Sequence, residues 1–121
     1  MEDSQAFVGI DVSKSCLDVA ARSTGEVWQV PNDADGISAL AQRLVGMRPS
    51  LVVLEATGGL ERGITAELAA AGLPVAVVNP RHVRDFARAS GALAKTDALD
   101  AQVLARFGQA MEPEARPLPD A

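Results

Sequence analysis

Hydrophobic and polar positions change period along this chain, and the change predicts its fold class. Residues 6–12, apolar apart from Gly9 and Asp11, form a run of strand length. Cys16–Ala21 repeats the pattern after the turn Val12-Ser13-Lys14-Ser15. Glu26–Val30 repeats it after Thr24-Gly25 and stops at Pro31-Asn32. Connections this short join antiparallel neighbours only, so strands one to three are expected as a meander.

The period then becomes helical. Ile37, Leu40, Leu44 and Met47 mark a helix opened near Asp33 or Asp35, and residues 51–55 read as a fourth strand. Leu60, Ile64 and Leu68 mark a second helix ended by Gly72. Val75–Val78 reads as a fifth strand, and Pro80 suits the first turn of a third helix. A small-residue loop at 89–92 leads to a final helix over 97–110, and residues 111–121, with Pro113, Pro117 and Pro119, read as a linker. The order β-β-β-α-β-α-β-α-α, with right-handed crossovers after the meander, predicts an α/β fold: a mixed five-stranded sheet flanked by helices. With strand four beside strand one the strand order is 3-2-1-4-5. The C-terminal ends of strands one and four then adjoin, at the crevice where open α/β sheets carry their sites.

The least expected carboxylates fall at that crevice. Asp11 and Glu55 each end an apolar strand. Glutamate is a poor strand former and is seldom buried without a partner, whereas Asp11 also fits a turn aspartate capping backbone amides. Asp97 and Asp100 open the final helix three residues apart, where an N-cap or a first-turn acid is equally at home. At about 100° per residue, Asp100 falls between Phe107 and Leu104 on the apolar stripe completed by Leu99 and Val103, while Gln102 and Arg106 face away. A dipole acid has no reason to face the core, so Asp100 is expected to point inward, with Asp97 as its neighbour one turn back.

Four convergent carboxylates hold hard divalent cations through oxygen. Without cations, like charges about 4 Å apart repel by roughly 4 kcal/mol per pair at an effective dielectric of about 20, so such a cluster stays partly protonated. Two divalent cations in such a cluster suit phosphoryl transfer on nucleic acid.

Composition narrows the class further. With 121 residues, 48% hydrophobic and 22% charged, the chain has the size and balance of one soluble domain. It has no run of membrane-spanning length, and the start Met-Glu-Asp-Ser-Gln is unlike a secretory signal. Cys16, the single cysteine, makes no internal disulfide and no zinc site alone, so a cytoplasmic protein is expected. A net charge of −5 opposes general nucleic-acid binding. Yet residues 81–95 carry Arg81, His82, Arg84, Arg88 and Lys95 against one acid, Asp85. With Lys14 these cations either track a phosphate backbone or form a solvated face. Thr57-Gly58-Gly59, ahead of a helix, offers an anion site. Asp18 is expected to face solvent, with a place near the acidic cluster as the alternative, Cys16 and Trp28 to pack, and His82 to lie at the surface or contact phosphate.

Three motifs together resemble a known family: Gly9-Ile10-Asp11-Val12-Ser13-Lys14, Glu55-Ala56-Thr57-Gly58, and Lys95-Thr96-Asp97 with Asp100-Ala101. In order and spacing they resemble the N-terminal domain of DEDD-type bacterial insertion-sequence transposases. These are similar to Piv-type DNA invertases and carry a RuvC-like, ribonuclease H-like catalytic domain. The resemblance implies a catalytic domain over 1–110, with Asp11, Glu55, Asp97 and Asp100 as a metal-binding catalytic tetrad. It implies Mg²⁺, with Mn²⁺ as a substitute, DNA substrates, a structured guide RNA, and a homo-oligomer in the full-length protein. It also implies action at the bacterial nucleoid. Family members continue through a helical connector to a second domain with an attacking serine. This chain stops at Ala121, so it is expected to be incomplete for recombination and for stable oligomerisation.

Two other functions compete. Sugar kinases and actin-like ATPases share the core fold and begin with a similar Gly-Ile-Asp strand, but they need a duplicated domain and have no role for a helix bearing Asp97 and Asp100. A non-catalytic nucleic-acid-docking domain would have no need of four intact acids.

Overall fold

The computed structural model describes residues 6–91 and 100–113. Strands β1 (Phe7–Val12), β2 (Cys16–Ala21) and β3 (Val27–Pro31) form the meander. Helix α1 (Ala34–Met47), strand β4 (Leu51–Glu55), helix α2 (Arg62–Ala70), strand β5 (Val75–Val78) and helices α3 (Pro80–Ala89) and α4 (Ala101–Met111) follow. The sheet order is β3-β2-β1-β4-β5, as the pattern predicts. Strand β1 lies antiparallel to β2 and parallel to β4, which lies parallel to β5.

Alternation along the strands divides the core in two. Val8, Ile10, Val12, Leu17, Val19, Val52 and Leu54 pack with Leu40 and Leu44 of α1 and Ile64 and Leu68 of α2. On the other face Phe7, Leu51, Val53 and Ala76 meet Val83 and Ala87 of α3 and Val103, Leu104 and Phe107 of α4. Phe86 and Phe107 join those two helices edge to face, with ring centroids 5.6 Å apart.

Gly9 sets how closely α4 lies on β1. A Cβ there would stand 2.1 Å from the Ala101 carbonyl oxygen and 2.6 Å from the Ala105 nitrogen, so only glycine admits the helix backbone at this depth.

Side-chain caps start three helices. Gly36 N–H donates to Asp33 Oδ1 at 2.8 Å, Arg81 N–H to Asn79 Oδ1 at 2.8 Å, and Val103 N–H to Asp100 Oδ1 at 2.9 Å. Helix α2 starts at Arg62 rather than near Leu60, which is left 45% exposed in the loop before it. At the sheet edge Arg43 stacks 3.7 Å over the Trp28 ring and pairs with Glu26. Among the described residues no helix is long and apolar enough to cross a membrane.

Candidate active site

Asp11 is the fifth residue of β1 and faces the α3–α4 side, since Phe7 and Gly9 share its parity. Ile10 lies beside Leu54 in the parallel register, so Asp11 and Glu55 stand side by side at adjoining strand ends. Glu55 shares the face of Leu51 and Val53. Asp100 arrives from the opposite direction, at the start of the helix packed on β1. Asp11 and Glu55 therefore stand together at the C-terminal end of the sheet, with Asp100 near enough to act on the charge of Asp11. Asp97 and Lys95 lie outside the described residues.

Electrostatics register the meeting. Burial pushes the Asp11 carboxyl above the usual aspartate range, and the charges of Asp18 and then Asp100 push it further. Glu55 is raised first by burial and then by Asp11, with the Arg84 guanidinium opposing. Among the described residues, Glu55 Oε2 is buried without a hydrogen-bond partner. A desolvated carboxylate oxygen beside like charges is stabilised by a cation. The donors are all oxygens, the donor chemistry that suits a hard divalent ion such as the implied Mg²⁺. Among the described residues no three His, Cys, Asp or Glu side chains form a group that could hold a metal ion. Asp11, Glu55 and Asp100 are thus electrostatic neighbours rather than a closed ligand shell.

Asp100 corrects one expectation. It is the N-cap of α4, with extended dihedrals of φ −134° and ψ 178°, and its side chain is engaged with the Val103 amide. A helical-wheel angle holds only for residues with helical dihedrals, so Asp100 does not lie on the apolar stripe, and it is exposed. The stripe itself stands: Val103, Leu104 and Phe107 are buried while Gln102 and Arg106 are exposed. Capping and proximity to Asp11 are not alternatives here, because the same residue does both.

Asp18 corrects another. It lies directly opposite Asp11 across β1 and β2, half-buried on the same face rather than turned to solvent. Gln29 Nε2 donates to its Oδ1 at 2.8 Å. Hairpin symmetry carried the signal, since strands closing on Val12 and Leu17 must pair Asp11 with Asp18. Cys16 is half-buried rather than core, with Sγ 3.2 Å from Ser13 Oγ.

The anion site expected at Thr57-Gly58-Gly59 is taken by the chain itself. Glu61 Oε1 accepts from Thr57 N–H at 3.0 Å, Thr57 Oγ1 at 2.7 Å and Gly59 N–H at 3.1 Å. Burial favours the neutral acid, but these bonds outweigh it and hold the Glu61 carboxyl below its usual range. Nothing in the sequence around Glu61 marked it, because a glutamate before a helix is ordinary.

The cations separate by placement. Arg81, Arg84 and Arg88 share a shallow groove on α3 with Pro80 and Asp85, and Arg84 acts on Glu55. Lys14 is exposed in the β1–β2 turn and His82 is exposed on α3.

Known proteins share this architecture. The structure of Thermus thermophilus RuvC in complex with a Holliday junction substrate matches with a TM-score of 0.55 at 18% identity, covering 89% of this chain and 96% of that one. An inorganic polyphosphate/ATP-glucomannokinase from Arthrobacter matches with a TM-score of 0.50 at 19% identity, covering 78% of this chain and 52% of that one. At such identities both show the fold alone. The pilin gene-inverting proteins of Moraxella lacunata and Moraxella bovis are 28% and 27% identical over 117 and 116 residues, each alignment covering 91% of this chain. The chain spans 36% of the length of each. A transposase family model of the DEDD, IS110 type matches residues 8–121, nearly the whole sequence and all the acids described above. On that match, this chain belongs to the DEDD transposase family.

Proposed function

We propose that this chain is the catalytic domain of a DNA transposase or recombinase, with Asp11, Glu55, Asp97 and Asp100 holding a pair of Mg²⁺ ions. The observation that carries this reading is the side-by-side placement of Asp11 and Glu55 on one sheet face, with Asp100 acting on Asp11 from the start of α4, in a chain of the transposase family. Asp97, three residues before Asp100, completes the set by its place in the family motif. When bound, the cations supply Lewis-acid stabilisation of the attacking and leaving oxygens during phosphodiester cleavage and strand transfer.

The chain's own groups do the rest. Asp11, raised by burial, Asp18 and Asp100, and Glu55, raised by burial and Asp11, would hold a cation that offsets this repulsion. Arg84 holds a phosphate beside Glu55, and Arg81, Arg88, Lys95 and Lys14 extend the contact along the strand. The relatives are named for gene inversion and the RuvC neighbour was solved on a Holliday junction, which supports DNA as the substrate. A structured guide RNA, a homo-oligomeric assembly and action at the bacterial nucleoid follow from the family resemblance. Residues 1–110 form the catalytic unit and 111–121 lead toward a C-terminal region. Helix α4 itself ends at Met111.

The test compares a form extended beyond Ala121, with its RNA, against this chain on a supercoiled target in Mg²⁺. Asp11→Asn and Glu55→Gln in the extended form should each cut strand transfer by about two orders of magnitude or more while DNA binding persists. Cleavage that survives both substitutions would remove the site. Efficient recombination by residues 1–121 alone would overturn the division into domains.

A further inference from the structure

We propose that Glu61 is a positioning residue that holds the loop after β4 so that Glu55 is in place to bind a divalent cation with Asp11. The inference rests on the metal-site reading above.

The backbone around Glu55 is fixed on one side and free on the other. Ladder pairing holds it through Ile10 beside Leu54 and Glu55 beside Val78, and Ala56 N–H donates to the Val78 carbonyl at 3.0 Å. Past Ala56 the ladder ends. The next residues include Gly58 at φ +80° and Gly59 at φ +119°, and a Cβ on Gly58 would meet nothing. Such a segment has wide conformational freedom, limited at its far end by the Arg62 N–H bond to the Gly59 carbonyl at 3.2 Å.

Glu61 supplies the missing restraint. The residue is 8% exposed, and one carboxylate oxygen gathers the Thr57 amide, the Thr57 hydroxyl and the Gly59 amide. Bonds to an ionised acceptor are shorter and stronger than neutral ones. The loop is therefore closed by a charge in its interior, two residues beyond Glu55 at its near end. Glu61 is the residue that precedes α2 but makes no side-chain cap bond to that helix. Its polar capacity is spent backward, on the loop. Groups that orient metal ligands from behind typically change affinity 10–100-fold when removed.

Mn²⁺ binding to the purified chain, followed by the electron paramagnetic resonance signal of the free ion, tests this well below the melting temperature of each variant. Glu61→Ala should weaken Mn²⁺ binding about tenfold or more. Glu61→Gln keeps an acceptor oxygen at the same reach and should stay within about threefold of the parent. Thr57→Val, which removes one donor and leaves the carboxylate, should fall between them. Amide exchange gives the second readout: Thr57 and Gly59 should lose protection in Glu61→Ala while β4 keeps its own. Wild-type Mn²⁺ affinity in Glu61→Ala overturns the proposal and leaves the metal site standing. Equal losses in Glu61→Gln and Glu61→Ala, with Thr57 and Gly59 still protected in Glu61→Gln, overturn it by making Glu61 a ligand rather than a brace. Mn²⁺ binding that Asp11→Asn leaves unchanged sinks the metal-site reading, and the role of Glu61 with it.

Discussion

Replacing Gly9 with alanine probes the joint between the first strand and the last helix, on which the meeting of Asp11 and Asp100 depends. The added methyl would lie 2.1 Å from the Ala101 carbonyl oxygen, 2.6 Å from the Ala105 nitrogen and 2.9 Å from the Leu104 Cβ. Two of these are backbone atoms, so no rotamer change relieves them. Opening the closest approach from 2.1 Å to an ordinary 3.4 Å moves the N-terminal turn of α4 by about 1.3 Å. Overpacking of this kind costs about 1–3 kcal/mol, or roughly 4–12 °C in melting temperature for a domain of this size. The same movement carries Asp100 away from Asp11. A misplacement of about 1 Å at a reacting centre costs about 100-fold in rate, so cation binding should suffer well beyond the loss of stability. Thermal unfolding by circular dichroism and Mn²⁺ titration of the folded variant measure the two effects separately. A Gly9→Ala protein that melts within about 1 °C of the parent and binds Mn²⁺ normally would show that α4 does not lie on β1 as described.

Asp11→Asn should reverse its effect on stability with cation and pH. In the folded state Asp11 is raised above its ordinary 3.8, so its ionised form is disfavoured there. The parent's deficit relative to the variant should be largest at neutral pH and shrink as pH falls through the raised value toward 3.8, measured without divalent ions. Adding Mn²⁺ should stabilise the parent by about 2.7 kcal/mol at a hundredfold excess over Kd and the variant far less. A parent–variant difference independent of pH would refute the linkage. Neutralising Arg81, Arg84 and Arg88 to alanine should weaken DNA binding and lower the salt slope by about 0.9 for each phosphate no longer neutralised, seen by fluorescence anisotropy across a salt series. An unchanged slope would place the backbone elsewhere.

Legibility in the sequence follows the range of the interactions involved. The strand order needs only run lengths, turn lengths and crossover handedness, and β3-β2-β1-β4-β5 follows from those. Asp11 and Glu55 are visible because a carboxylate ending an apolar run breaks a local pattern. Asp100 stands out in the sequence for an inadequate reason: the wheel that turns it inward assumes a helix from 97, whereas α4 begins at Ala101, and a cap residue has no helical azimuth. Asp18 is misjudged when β2 is treated alone, although pairing about a turn is arithmetic once both strands are placed. Glu61 is beyond reach. Its meaning lies in three bonds made backward into a glycine loop, and composition carries no trace of that geometry.

The close packing of α4 on β1 has a consequence for the order in which the molecule comes into being. Asp11, Asp18 and Glu55 all lie within the first half of the chain, but Asp100 follows Asp11 by about 90 residues. At ribosomal speeds of about 5–20 residues per second, that gap corresponds to roughly 4–18 s of synthesis. During it the early strands and their acids are made without Asp100. The last acid joins them only when α4 settles onto the groove left by Gly9. Any role that needs Asp100 beside Asp11 is therefore unavailable before α4 is made. The approach of Asp100 to Asp11 is thus a contact of long sequence separation, which a chain made from its N-terminus forms late.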